Sequence, residues 1–138
     1  MQNDVLYNEI MKKIDELEPG GGGGRSSVFY EITTTNFPSG ANTVGWFQYV
    51  KKSGDTYSYP DVLSSFSDEV SVNGNRTGCW MSNLVIPTLE DYFLAFVPNS
   101  GVTITASSGG IASTPITIYG TNHYIITDDF SITCSGWA

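Results

Sequence analysis

Between Asp4 and Glu18 the apolar residues Tyr7, Ile10, Ile14 and Leu17 recur at intervals of three, four and three, with Asn3 in register before them. That spacing puts all four on one stripe of an α-helix, in the a and d positions of a coiled-coil seam. The stretch DVLYNEIMKKIDELE contains no Gly, Pro, Ser or Thr, and Asn3 or Asp4 offers a side-chain oxygen to the first free amides. A helix of about 15 residues is marginal in water by itself, because nucleation costs more than its few hydrogen bonds return. Residues 1–18 are therefore expected to form an anchoring and oligomerisation helix that needs a partner for its seam. Pro19 and the run Gly20 to Gly24 end the pattern. Residues 19–25 read as a flexible linker, the five glycines having a root-mean-square reach of roughly 12 Å.

From Ser26 onward the period changes from that of a helix to two. Val28, Tyr30, Ile32 and Thr34 fall on one face of an extended segment. Further strands are predicted at Val44–Lys51, Thr56–Tyr59, Glu69–Val72, Cys79–Ile86, Tyr92–Val97, Val102–Ala106, Ile116–Tyr119, His123–Thr127 and Phe130–Cys134. Turn signals separate them at Ser53-Gly54-Asp55, Asn73-Gly74, Pro98-Asn99-Ser100-Gly101, Gly109-Gly110 and Asp128-Asp129. Asn73-Gly74 carries the strongest short hairpin signal. Pro60 to Asp68 reads as a long loop or a single helical turn. Short strands with turns at this frequency make residues 26–138 a mainly β domain, an antiparallel β-sandwich or jelly roll preceded by the short helix.

Charge narrows the partners. Six Lys and Arg against fourteen Asp and Glu give a net charge of −8, which leaves no basic stripe for phosphates, so nucleic acid is not an expected partner. No apolar run approaches the about 18 residues of a membrane-spanning helix, and no membrane insertion is expected. Met1 to Ile10 mixes polar and apolar residues without a basic start, so no signal peptide is expected. Cys79 and Cys134, 55 positions apart in the chain, are read as free, mostly buried thiols rather than a disulfide framework.

The residues that could carry catalysis are sparse. His123 is the only histidine. No serine has the Gly-x-Ser-x-Gly setting of an activated nucleophile, so His123 reads as a strand-end or surface residue. Glu90-Asp91 and Asp128-Asp129 each precede a predicted strand and read as turn residues rather than a hydrolase pair. Neither pair has the spacing of a calcium loop, and one His with two distant Cys does not make a zinc site. The sequence thus predicts a non-enzymatic protein with no metal and no cofactor. Asn75-Arg76-Thr77 matches a glycosylation acceptor but reads as the tail of the Asn73-Gly74 turn. The aromatic residues carry more of the picture. Tyr57 and Tyr59 share a strand face beside a turn, and together with Trp80 they are candidates for a ligand-binding surface, since each ring has an apolar body and a polar tip.

An acidic N-terminal helix (Asp4 to Glu18), a glycine hinge (Gly20 to Gly24) and a charge-poor β body rich in Ser, Thr and Asn (Val28 to Ala138) together make the chain resemble small bacteriophage virion proteins of the fibre, head-fibre, decoration or receptor-binding kind. The resemblance lies in architecture and includes no diagnostic motif. It implies a structural virion subunit, assembled in the host cytoplasm and forming a homo-oligomer, with a trimer favoured. Contacts to other virion proteins would run through the N-terminal segment, with Tyr7, Ile10, Ile14 and Leu17 at the interface, and the β body would be free to meet a surface glycan or host receptor.

Overall fold

The structure, a computed structural model, describes residues 26–60 and 66–138. The expected helix, its seam residues Tyr7, Ile10, Ile14 and Leu17, the linker and part of the doubtful 60–68 stretch lie outside the described residues. The rest forms nine strands: β1 (Ser26–Thr35), β2 (Ala41–Ser53), β3 (Thr56–Ser58), β4 (Ser67–Asn73), β5 (Thr77–Ile86), β6 (Tyr92–Pro98), β7 (Thr103–Ile111), β8 (Ile116–Ile118) and β9 (Thr121–Ser135). The fold is mainly β, a curled sheet that closes halfway to a barrel and resembles a sandwich.

The principal hydrogen-bonded path is β3-β2-β6-β9-β1-β5, with β4 added to β2 and β7 and β8 to β9. The curl is made by β9. Its first half pairs antiparallel with β6, from Tyr124 to Ile126, and its second half pairs with β1, from Phe130 to Ser135. Two strands expected to be separate are thus one, folded sharply at Thr127 to Asp129. The β1–β9 ladder is parallel, unlike the wholly antiparallel arrangement expected.

Glycine makes the corner possible. The β7–β9 register jumps from Gly109 opposite Phe130 to Ile111 opposite Ile126, so Gly110 faces the fold in β9. A Cβ on Gly110 would lie 2.3 Å from the Asp128 backbone nitrogen, and Gly109 has a φ of +84°. The two carboxylates expected to mark a turn between strands hold the corner instead. Asp129 accepts a hydrogen bond from the Phe29 amide at 2.9 Å, and Asp128 accepts one from the Asp129 amide at 2.8 Å.

The core lies inside the curl, where alternation turns Val28, Tyr30 and Ile32 of β1 toward Phe47 and Tyr49 of β2 and Leu94 and Phe96 of β6, and the bulge of β2 between Thr43 and Gly45 adds Val44. Phe47 sits at its centre, edge-on to Tyr30 with centroids 5.1 Å apart, to Phe96 at 5.5 Å and to Phe130 at 6.1 Å. Tyr30 also stacks on Phe130 at 5.5 Å. Burial, together with the charge of Asp68, pushes the Tyr30 hydroxyl up to about 12.

The open side of the curl, between β4 and β5, is closed by side chains rather than a ladder. β5 bulges between Met81 and Val85, and a bulge leaves backbone groups without ladder partners. Ser82 Oγ accepts from the Val28 amide and donates to the Leu84 carbonyl, at 2.9 and 2.7 Å. The buried Asp68 of β4 accepts from the Asn83 amide at 2.7 Å and from its side chain at 3.1 Å. The Tyr49 hydroxyl donates to the Val85 carbonyl and accepts from its amide, at 3.0 and 3.2 Å.

Asn73-Gly74 does turn the chain, but it makes no hairpin. β4 pairs with β2 while β5 pairs with β1, so this loop carries the chain from one side of the curl to the other. Buried Thr34 fastens it, its hydroxyl donating to the Gly74 carbonyl at 2.7 Å and accepting from the Arg76 amide at 3.1 Å. The side chain of Asn75 accepts from the Phe37 amide at 2.8 Å. A two-residue hairpin with positive φ at both centres occurs instead at Tyr119 (+51°) and Gly120 (+75°), between paired Ile118 and Thr121.

Candidate binding site

On the outer face of the sheet, β3 and β8 cover a second apolar cluster of Val50, Ala95 and Ile118, bordered by Tyr57, Tyr59, Phe93, Ile116 and Ile125. Two of the aromatic candidates belong here. Tyr57 meets Phe93 edge-on at 6.1 Å, and Tyr59 lies against His123 and Tyr119, with centroids 5.5 and 6.0 Å away. Both are half-buried. Trp80 is elsewhere, stacked at 6.1 Å on Tyr30 at the margin of the inner core. The structure therefore does not bring Trp80 together with Tyr57 and Tyr59.

His123, expected at a strand end or the surface, is fully buried beneath Tyr59. Its Nδ1 lies 2.8 Å from the Thr121 carbonyl and its Nε2 2.7 Å from the Tyr59 hydroxyl. A carbonyl only accepts, so Nδ1 carries the proton, and Nε2 then accepts from the tyrosine. Burial pushes the histidine below its ordinary pKa, against a smaller upward pull from the Thr121 carbonyl, and burial pushes the Tyr59 hydroxyl up. The neutral pair is a satisfied structural contact. Because the folded ring takes up its proton at lower pH than the unfolded ring, near 6.5, the unfolded state binds more protons as pH falls through that value. The melting temperature is expected to hold above about pH 7 and to fall as the pH is lowered through 6.5 toward the folded pKa. A thermal melt series from pH 7.5 to 5.5 checks this, and His123→Gln should flatten the slope.

The cysteines do not pair. Cys134 is buried, as expected of both thiols, and burial pushes it up to about 12, whereas Cys79 is exposed. No cluster of three or more His, Cys, Asp or Glu suited to a metal ion occurs among the described residues. No helix among them is long and apolar enough to cross a membrane.

A further concavity has none of Tyr57, Tyr59, Trp80 or His123 in its lining. The β6–β9 ladder stops at Phe96 and Tyr124, and beyond that pair the two strands part. Between them opens a groove of about 470 Å³, within the range of small-molecule sites. Trp46 and Pro98 line it from the β2–β6 side, Thr121, Asn122 and Tyr124 from β9, and the Asn99 to Thr103 segment completes the wall. None of these side chains is charged.

The groove is built on fixed parts. Trp46 Nε1 donates to Gln48 Oε1 at 2.9 Å, which holds the indole in place. The Asn99 amide donates to the Val44 carbonyl at 2.8 Å, its side chain donates to the Thr43 carbonyl at 3.2 Å, and its own carbonyl accepts from the Val102 amide at 3.0 Å. This loop is legible in the sequence as a turn. The groove is not, because Trp46 and Tyr124 are 78 positions apart in the chain and only the parting of β6 from β9 makes them neighbours. Comparison with known proteins finds no matching family model, no matching curated protein and no matching solved structure.

Proposed function

We propose that the chain is a non-enzymatic structural subunit of a bacteriophage virion, of the fibre, head-fibre or capsid-decoration kind, with residues 1–18 as its anchor and the β body displayed beyond the glycine hinge. The finer fold reading belongs with it: a β-sandwich or jelly roll preceded by a short, coiled-coil-like N-terminal helix. The observation that carries this reading is the polarity of the β body. β1 starts at Ser26 and runs parallel to the second half of β9. Ser26 therefore lies at the end of the body where β9 folds, near Asp129. Thr35 and Ser135 lie at the other end, as does Thr103, which pairs with Ser135 and lines the groove. With an anchor joined before Ser26, the groove would sit at the end of the β body farther from the attachment point.

Phe29 and Met81 support the oligomeric part of the proposal. They sit directly opposite each other on β1 and β5, 57% and 52% exposed, toward the Ser26 end. A neighbouring subunit held close by the helical seam would cover them, and a trimer is the favoured state. Removing residues 1–24 is expected to leave a soluble, folded β domain that no longer enters particles, and Ile14→Asp, which puts a charge in the seam, should reduce assembly in the same way. Quantifying the protein in purified particles tests both. Continued incorporation of the truncated form would refute the anchor.

The groove favours a second reading that is compatible with the first, in which the β body is a carbohydrate- or host-receptor-binding module at the free end of the subunit. Tyr57 and Tyr59 are half-buried against Phe93 and His123, whereas the groove has two aromatic residues, Trp46 and Tyr124, in its lining.

A further inference from the structure

We infer that the groove between β6 and β9 binds an uncharged saccharide, with Trp46 and Tyr124 as stacking surfaces and Asn122, Thr103 and Thr121 as hydroxyl partners. This rests on the binding reading and gives it a ligand class. Three observations carry the inference together. The first is the pairing of two aromatic residues with side-chain amides and hydroxyls around one concavity. A pyranose ring presents an apolar face of C–H groups and a rim of hydroxyls, so it needs both an aromatic surface and groups able to donate and accept.

The second observation is charge. The lining residues carry none, and the chain as a whole carries −8. A sialylated, sulfated or uronic-acid glycan would bring negative charge to an acidic protein with no Lys or Arg at the contact surface, leaving its anion unpaired. A purely apolar ligand is equally unsuited, because it would strip water from Asn122, Thr103 and Thr121 without replacing those hydrogen bonds.

The third is the backbone. Beyond Phe96 and Tyr124 the facing edges of β6 and β9 have no ladder between them, so the space between the strands is not filled by paired backbone. Asn122 is exposed, and its side chain has no hydrogen-bond partner among the described residues. Trp46, in contrast, is already fixed by Gln48, so its ring loses little freedom when a ligand arrives. The exposed Ser100 sits on the loop that forms one wall, where a bulky side chain can block entry without entering the core.

The test uses the full chain on an immobilised array of neutral oligosaccharides of glucose, galactose, mannose and N-acetylhexosamines, beside sialylated and sulfated counterparts. Titration calorimetry then follows with the soluble form of the best neutral ligand. Retention of neutral glycans is expected, with affinity at least tenfold weaker for Trp46→Ala, Asn122→Ala and Ser100→Trp and unchanged for Tyr57→Ala. Asn122 and Ser100 are exposed, so these two variants remain informative if Trp46→Ala fails to fold. Retention of none of the neutral glycans, a preference for the acidic ones, or binding that ignores Asn122→Ala and Ser100→Trp but is lost in Tyr57→Ala would overturn the inference. Particle incorporation of the same variants separates the two ideas. The groove substitutions should leave it intact, whereas failure of the anchor proposal would appear in the truncation experiment alone.

Discussion

Gly110→Ala is expected to destabilise the β body by on the order of 3 kcal/mol, which for a protein of ordinary stability removes a large share of the folded margin. The added methyl would meet the Asp128 backbone nitrogen at 2.3 Å and its Cα at 2.5 Å. These are backbone atoms at the corner of β9, so no side-chain rotation relieves the contact and the corner itself must open. Gly54→Ala is a useful contrast. Its φ is +61° but nothing lies within 4 Å of where the methyl would sit, so only the left-handed backbone is disfavoured, at roughly 1–2 kcal/mol. Urea unfolding midpoints of the two variants should therefore differ clearly, with Gly110→Ala the lower.

Phe47→Ala should be at least as damaging, at about 3–5 kcal/mol. Phe47 is fully buried and touches rings from three other strands, Tyr30 of β1, Phe96 of β6 and Phe130 of β9. Those strands belong to both halves of the curl, so the cavity cannot close by shifting one of them. The loss should appear in equilibrium denaturation as a lower midpoint with little change in slope. Phe47→Leu, which keeps most of the volume, is expected to recover much of the difference.

Much of the strand content is legible from alternation. Val28, Tyr30, Ile32 and Thr34 do face inward together, and Trp46 and Phe47, as neighbours on one strand, differ in burial as period two requires. Pairing is harder to read. Asn73-Gly74 has the composition of a hairpin turn, yet partner choice is decided by which apolar faces meet across the core, and that is a long-range property. Tyr119-Gly120 makes the true two-residue turn with a residue that rarely adopts positive φ, so turn propensity points elsewhere. Asp128-Asp129 looks like a break because aspartates favour turns. The pair instead occupies a strand corner that exists only because Gly109 and Gly110 lie opposite. The burial of His123 escapes local reading for a related reason: it depends on Tyr59, which the chain brings over it from 64 residues away.

The groove shows the same limit in its clearest form. Each of its aromatic residues is visible in the sequence, but a concavity is a property of two strands parting, and no local pattern encodes where a ladder stops. Tyr57 and Tyr59 stand out because they are close in sequence and share a strand face. Nothing local distinguishes Trp46 and Tyr124 from the general aromatic complement of the core.

The parallel ladder between β1 and β9 also bears on how the chain is made. The first strand of the body takes β5 on one edge and β9, which ends at Ser135, on the other, so on a ribosome β1 can pair early with β5 while its second edge stays open until β9 has emerged. Contacts of such long sequence separation make folding slow. Residues 1–18 precede the whole β body in the chain and so leave the ribosome before β9 does. Under the anchor proposal, chains translated side by side from one message would have time to find each other through their seams before any of their β bodies had closed.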